Sequence, residues 1–401
     1  MKRTLSAKEA ADLLQISEAT LYSYVSRGLI RSEAGAAKSK TRRYLSEDVL
    51  KLRDRKEQRR NPAKVVEAAL HWGSPILESA LTLIDQDRLY YRGYDVAQLA
   101  RDCTFEQVAS LLWVDHLDPI KLDRNPDLPV DLIRLGLPAL TRMQIALNLA
   151  YQTDLAAYDL AHAPQTGARI LTLLTASAIG TTSLDGIAVS LAQAWQVTHP
   201  AVINTALILC ADHELNASSF VARTVAGVSA NPYMVVSAGL AALTGIRHGA
   251  NTEKVSAFLR ETGDPHHASQ VIADRLRRGE GLPGFGHHLY SGIDPRAQII
   301  LSQLANYYAD HPALHLAETI QSGVLNAIDK APNLDFALAT LELTLNLPRG
   351  SALILFALGR TVGWIAHAIE QYATGQMIRP RAKYIGRTPE DALQSGEQHT
   401  T

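Results

Sequence analysis

Leu355-Phe-Ala-Leu-Gly359-Arg360-Thr-Val-Gly363-Trp-Ile-Ala-His367 is an apolar run interrupted by one guanidinium and two glycines. It lies inside 351–372, where apolar residues recur at three- and four-residue intervals, the spacing of one helix face. Gly359 and Gly363 would let another helix approach closely. An unpaired charge in such a helix is costly, so Arg360 needs an anion. That anion is either a substrate carboxylate held bidentately or the partner in an internal salt bridge. The same Ala- and Leu-rich periodicity marks 65–71, 171–178, 187–198 and 200–211, and β-branched alternation is scarce. The body therefore reads as all-α, with one candidate strand pair at Leu81–Ile84 and Leu89–Tyr91.

The chain has 401 residues, enough for two or three domains and a large core. Hydrophobic residues make up 47% and charged residues 20%, the balance of a soluble globular protein. Cys103 and Cys210 have no metal-ligand spacing and are too few for a disulfide framework. No apolar run is read as long enough to span a bilayer, Met234–Ile246 being among the longest, and no apolar signal core follows the N-terminus. The expectation is a cytoplasmic protein with no membrane partner. The net charge of -1 conceals an asymmetry: residues 1–64 carry sixteen Lys and Arg against eight Asp and Glu, +8, leaving -9 for the rest. A basic head on an acidic body points to a separate module with an anionic partner.

In that head, Ser6-Ala-Lys-Glu9 is a capping box opening a short helix with Ala10, Leu13 and Leu14 on its apolar face. Ile16-Ser17 turns the chain into a second helix from Glu18 to Arg27, with Leu21, Tyr24 and Val25 inward and Gly28 ending it. Two helices joined so tightly read as a helix-turn-helix. Lys38-Ser-Lys40-Thr-Arg42-Arg43 reads as a wing, and Ser46 as the cap of a further helix. The segment resembles the winged helix of the MerR and excisionase type, in which the wing and second helix contact DNA. The resemblance makes DNA a candidate partner through Thr20, Tyr22, Ser23, Arg27, Lys40, Arg42 and Arg43. A charged helical appendage used for packing is the other reading. Lys51–Lys64 continues a charged helix and breaks at Asn61-Pro62, the expected linker. The expected organisation is a head at 1–65 and a body at 66–401.

The body carries a set of polar motifs: Ala211-Asp-His213-Glu-Leu-Asn216-Ala-Ser218, Arg247-His248-Gly249, Pro283-Gly284-Phe-Gly286-His287-His-Leu-Tyr290, Asp294-Pro-Arg296, Pro332-Asn333-Leu-Asp335-Phe336 and Arg379-Pro-Arg381. With Arg360 they supply three histidines, one carboxylate and three arginines, which suits carbon–carbon bond formation on a small polycarboxylate. A thioester α-carbon is a weak acid, so a carboxylate base needs simultaneous enolate stabilisation, and the acceptor ketone must be polarised. Asn333 is a plausible N-cap, which puts Asp335 in a first helical turn where backbone dipoles favour the ionised form. In isolation Asp335 reads rather as an acidic decoration of a helix start; the neighbouring motifs reverse that. A metal site at Asp212-His213-Glu214 is disfavoured, because adjacent helical residues diverge by about 100° and no zinc spacing accompanies them. No phosphate-binding Gly-rich signature is present.

These motifs in this order resemble citrate synthases over roughly residues 72 to 386, and Leu89-Tyr-Tyr-Arg-Gly-Tyr-Asp-Val resembles their opening. The resemblance implies a two-domain, all-α body with a small domain at about 217–330 inserted in a large one. It implies Asp335 as base, His248 as enol stabiliser and His287 as acid at the ketone. His213, Arg296, Arg360 and Arg381 would hold oxaloacetate, Arg381 reaching across from the partner subunit of a homodimer. Pro283, Gly284 and Gly286 would line the coenzyme A site. No cofactor is implied, acetyl-CoA being a substrate. The chain departs from the usual Gly-Pro-x-His-Gly-Gly at Ile246 and Ala250. Three readings follow: citrate synthase, 2-methylcitrate synthase using propionyl-CoA, and a DNA-binding regulator whose body senses a metabolite.

Overall fold

The computed structural model describes residues 4–34, 42–46, 48–50, 52, 77–123, 125–382 and 384–388. The chain divides into two compact units, Met1–Glu78 and Ser79–Thr401. Lys40, the linker at 51–64 apart from Leu52, the helix expected at 65–71 and the boundary at 65–66 lie outside the described residues.

In the first unit Ser6 caps the helix Ala7–Leu14, accepting from Glu9 N at 3.2 Å while Glu9 accepts from Ser6 N at 2.8 Å. Ser17 caps Glu18–Ser26 by accepting from Thr20 N at 3.2 Å. Gly28, at φ 72°, closes that helix, with Leu29 N–H donating to Tyr24 O at 2.9 Å. Strand Arg42–Leu45 pairs antiparallel with both Thr4–Leu5 and Ser32–Ala34, the sheet of a winged helix. Leu5, Ala10, Leu14, Leu21, Ile30, Tyr44 and Val49 form its core.

The second unit opens with a three-stranded antiparallel sheet, Thr82–Asp85, Arg88–Tyr91 and Tyr94–Asp95. Its first turn is two residues long, with Gln86 and Asp87 both at positive φ, as a tight hairpin requires. The expected strand pair is therefore present, its first strand shifted by one residue and its second starting one residue earlier, and a third short strand extends it. Beyond it the unit is helical. The helix expected at 187–198 stops at Ala194, because Gln196 turns to φ 56° and Val197 N–H closes on Ala192 O at 2.8 Å.

Two hydrophobic cores organise this unit. The larger surrounds Ser351–Thr374, which packs against Phe105–Val114, Ala163–Ile179, Pro200–Cys210, Ala217–Ala226, Pro232–Leu243 and Leu334–Thr344. The smaller gathers Val255, Phe258, Ile272, Phe285, Ile320 and Phe336 from the elements between Asn251 and Thr344. The long helix corrects one sequence expectation: it is apolar and long enough to cross a bilayer by length and composition alone. It is instead the central core helix, with Trp364, Arg360 and His367 all fully buried.

Candidate active site

The central helix has no room for side chains at its glycines. A Cβ at Gly359 would lie 2.7 Å from Leu207 O, and one at Gly363 would overlap the Ala211 carbonyl oxygen. That pressure brings Arg360 onto the C-terminal end of Pro200–Cys210, where its Nε donates to Cys210 O at 2.8 Å. The bond satisfies one of the carbonyls that every helix end leaves open. Nη1 and Nη2 of Arg360 are buried and make no hydrogen bond. No described carboxylate forms a salt bridge with Arg360; Asp212, the carboxylate that acts most on its charge, has Oδ1 3.3 Å from His367 Nε2. The sequence alternative of an internal salt bridge is therefore not realised among the described residues, and two strong donors are left without a protein acceptor.

After Cys210 the chain unwinds through 211–216, and several groups fix it. The Thr82 hydroxyl donates to Asp212 Oδ2 at 2.5 Å, and Tyr91 Oη accepts from Asp212 N at 3.1 Å. His213 follows, buried, with Nε2 2.8 Å from Tyr290 Oη and its ring centre 5.1 Å from that of His287. Asn216 caps Ala217–Ala226 by accepting from Ser218 N and Ser219 N, both at 3.1 Å. Ser218 Oγ in turn lies 2.7 Å from His248 Nε2 and accepts from Trp364 Nε1 at 3.2 Å. His248 meets Phe356 edge-on at 5.8 Å, and the Arg360 guanidinium lies 5.1 Å from the centre of the same ring. Gly249 is obligatory here, since a Cβ would fall 2.8 Å from Leu243 O.

His287 and Asp335 are held by two loops locked together. Gly284 and Gly286 take φ 90° and 82°, so that Asn333 N donates to Gly284 O at 2.9 Å and Gly286 N to Ala331 O at 2.8 Å. Asn333 does double duty: Nδ2 donates to Gly286 O at 3.1 Å, and Oδ1 caps Leu334–Thr344 by accepting from Asp335 N at 3.1 Å. His287 Nδ1 accepts from Leu289 N at 3.1 Å, which leaves Nε2 as the protonated nitrogen of the neutral ring. Asp335 Oδ2 accepts from Asn251 Nδ2 at 2.8 Å. Asp294 caps Pro295–Tyr308, takes Arg296 Nε at 2.9 Å and Nη2 at 2.7 Å, and accepts from Leu334 N at 3.2 Å. It thereby ties Arg296 to the helix that bears Asp335.

The electrostatics follow from burial. Burial first, then Arg360, brings His248 down to about 4, and burial followed by Arg296 brings His287 to about 4. His213 is pushed well below its ordinary value, by burial and then by Arg296 and Arg360. All three rings are neutral donors or acceptors near pH 7. Burial raises Asp335 to about 6 despite the opposing Asn251 hydrogen bond and Arg296. Burial also works against the Arg296 charge, but Asp294 overrides it and holds that pKa above its usual value. Arg360 is pulled down by burial, which outweighs the opposing charge of Asp212. A neutral-donor set, a weakly acidic carboxylate and two buried guanidiniums can bind a small dianion and abstract a proton beside it.

The structure thus sets His213, His287 and Arg296 around the Tyr290 ring and His248 and Arg360 around Phe356, with Asp335 tied in through Asn251 and through the Asp294 bond to its helix. Pro283, Gly284 and Gly286 lie on the loop that carries His287. Arg381 is not part of the cluster: it is exposed, in an irregular stretch after Gly375. In the other unit Tyr22, Arg27, Arg42 and Arg43 are exposed, while Thr20 and Ser23 are half-buried. Thr20 Oγ1 is 2.9 Å from the Ser17 hydroxyl, and Arg43 Nε donates to Thr4 Oγ1 at 3.1 Å. Among the described residues no three His, Cys, Asp or Glu are grouped to hold a metal ion.

Sequence reasoning missed several members. His367, read as surface or packing, is fully buried with Nε2 3.3 Å from Asp212 Oδ1; its position seven after Arg360, two turns along the same face, was the available signal. Ser218 and Asp294 sat inside quoted motifs without a role, and Asn251 gave no signal beyond its place three residues after His248.

Residues 69–381 match the family described as citrate synthase, C-terminal domain, and residues 4–57 match the helix-turn-helix domain family. The citrate synthase of Mycolicibacterium smegmatis is 30% identical over 342 residues, 76% of this chain and 90% of the relative. The 2-methylcitrate synthase of Shewanella oneidensis is 29% identical with the same coverage, 76% and 90%. Among solved structures, the ternary complex of citrate synthase from Thermoplasma acidophilum with carboxymethyl coenzyme A and oxaloacetate superposes with a TM-score of 0.67. That match is 26% identical and covers 78% of this chain and 94% of the other.

Proposed function

The chain belongs to the citrate synthase family, and on that premise we propose that it condenses acetyl-CoA with oxaloacetate and water to give citrate and free CoA. The observation that carries the reading is Arg360, whose two unpaired, buried nitrogens call for a carboxylate between His213, His287 and Arg296. Arg296 and His213 complete the receptor for oxaloacetate, and Arg381 of the partner subunit in a homodimer closes it. Pro283, Gly284 and Gly286 line the path of the coenzyme.

Asp335 takes a proton from the α-carbon of the thioester, and that C–H electron pair becomes the enolate double bond. His248 donates from Nδ1 to the enolate oxygen when the single Ser218 hydroxyl proton turns from Asn216 Oδ1, 2.8 Å away, to His248 Nε2, 2.7 Å away; Asn216 Oδ1 then keeps its two backbone N–H groups. The enol carbon attacks the ketone carbon, whose π electrons move to oxygen, and His287 Nε2–H supplies the proton there. A neutral imidazole suits both donor roles, because it polarises without protonating the substrate outright. Water then cleaves the citryl thioester and CoA leaves. The head is proposed as a DNA-contacting module on its match to the helix-turn-helix family.

A second donor, propionyl-CoA, is kept open by the 2-methylcitrate synthases at similar identity. One methylene changes binding by only about 1–3 kcal/mol, so the same residues serve either donor. The test is CoA release by the full-length protein with oxaloacetate and each donor, alongside Asp335→Ala. Turnover abolished by that substitution, with one donor faster, is the expected result. No release with either donor, in protein that binds oxaloacetate, overturns the reading.

A further inference from the structure

We propose that Asn251 is a positioning residue for the base: its side-chain amide holds one oxygen of Asp335, so that the other, Oδ1, is the atom that receives the proton. This rests on the reading of Asp335 as base. Asn251 opens the helix Asn251–Thr262, and its backbone N–H donates to His248 O at 2.9 Å. The residue that would stabilise the enol and the residue that grips the base are thus joined by a single turn of chain. Nδ2 of Asn251 donates to Asp335 Oδ2 at 2.8 Å, and the amide must face this way because its oxygen would repel a carboxylate.

A carboxyl group otherwise rotates broadly about its last bond. The cap from Asn333 fixes the backbone of Asp335 through N–H groups but does not touch its carboxylate. Asn251 is the only hydrogen-bond donor to that carboxylate among the described residues. The charged groups acting on Asp335 are Arg296 and Asp294, from Pro295–Tyr308 and its cap, which oppose one another. A neutral donor fits this position: it orients the carboxylate, whereas a cation there would weaken the base.

The experiment compares wild type, Asn251→Ala and Asn251→Ser, all full length. It measures the acid limb of kcat/KM and, separately, the titration of the Asp335 carboxyl carbon in protein labelled with [4-13C]aspartate, assigned through Asp335→Asn. In wild type both midpoints should fall near 6. Loss of a hydrogen bond to the charged form should raise both by roughly one pH unit in Asn251→Ala. That shift lowers kcat/KM about five-fold at pH 6 and much less at pH 8, on top of a pH-independent fall in kcat from misorientation. Asn251→Ser, which keeps a shorter donor, should lie between the two and serves if the alanine variant fails to fold. Unmoved midpoints in both measurements overturn the role of Asn251. A carboxyl midpoint that moves while the acid limb stays put overturns the assignment of Asp335 as base, and with it the positioning role.

Discussion

At the scale of single residues, Asp335 is destabilising as built. Its folded midpoint lies near 6 against an ordinary 3.8, so between those values the folded state binds more protons than the unfolded one. Its contribution to stability therefore falls as pH rises from about 4 to 6, and at neutral pH the cost is fully present. A shift of about two units corresponds to roughly 3 kcal/mol, discounted to about 1–2 because the carboxylate is only part-buried. Asp335→Asn should raise the unfolding free energy by that amount at pH 7 and by little at pH 4, while abolishing turnover; chemical denaturation at the two pH values measures it. His248 and His287 act oppositely: held near 4 against an ordinary 6.5, they withdraw stability as pH falls through that interval. The active carboxylate is thus kept at the expense of fold stability at neutral pH, whereas the two imidazoles cost stability only in acid.

Among the elements, the contact between Ser351–Thr374 and the end of Pro200–Cys210 decides where the substrate-binding groups stand. Gly363 has no space for a methyl group, since the Ala211 carbonyl and Asp212 occupy it. Gly363→Ala must push the helix off the 211–213 turn, a backbone rearrangement costing about 2–3 kcal/mol. Because that turn carries His213 and the same helix carries Arg360, we expect a raised KM for oxaloacetate together with the lower melting temperature. Gly292→Ala, with open space around its site, is the control and should alter neither.

For the whole molecule, the position of Arg381 is the informative feature. It lies exposed beyond the central helix, outside the cluster that its sequence motif associates it with. If it serves the partner's site, Asp335→Asn and Arg381→Ala subunits should complement each other. A mixed dimer then has one site with an intact base and an intact arginine, and random reassociation restores about a quarter of wild-type turnover. If Arg381 served its own subunit, both sites of the mixed dimer would be defective and mixing would restore nothing. Turnover assayed after joint refolding of the two inactive variants distinguishes these outcomes.

The sequence alone determined the helical class of the body, the head's capping box and tight turn, and the identity of the polar set. Each of these is written in local spacing: the Ser6–Glu9 interval, the Ala–Leu period, the Asn333 cap before Asp335. The exact end of the helix at Ala194 escaped it, because a left-handed Gln196 is imposed by closure of the chain rather than by composition. Only the tertiary structure decided that Arg360 has no salt bridge among the described residues, because the outcome depends on where Asp212 goes, and Asp212 Oδ1 lies against His367. Likewise only the fold brought Asn251 to Asp335, 84 positions away, and Ser218 to His248, 30 away. A pattern along the chain reports which face of an element is apolar; pairing between elements depends on how those faces are pressed together, and here glycines 359 and 363 set that distance.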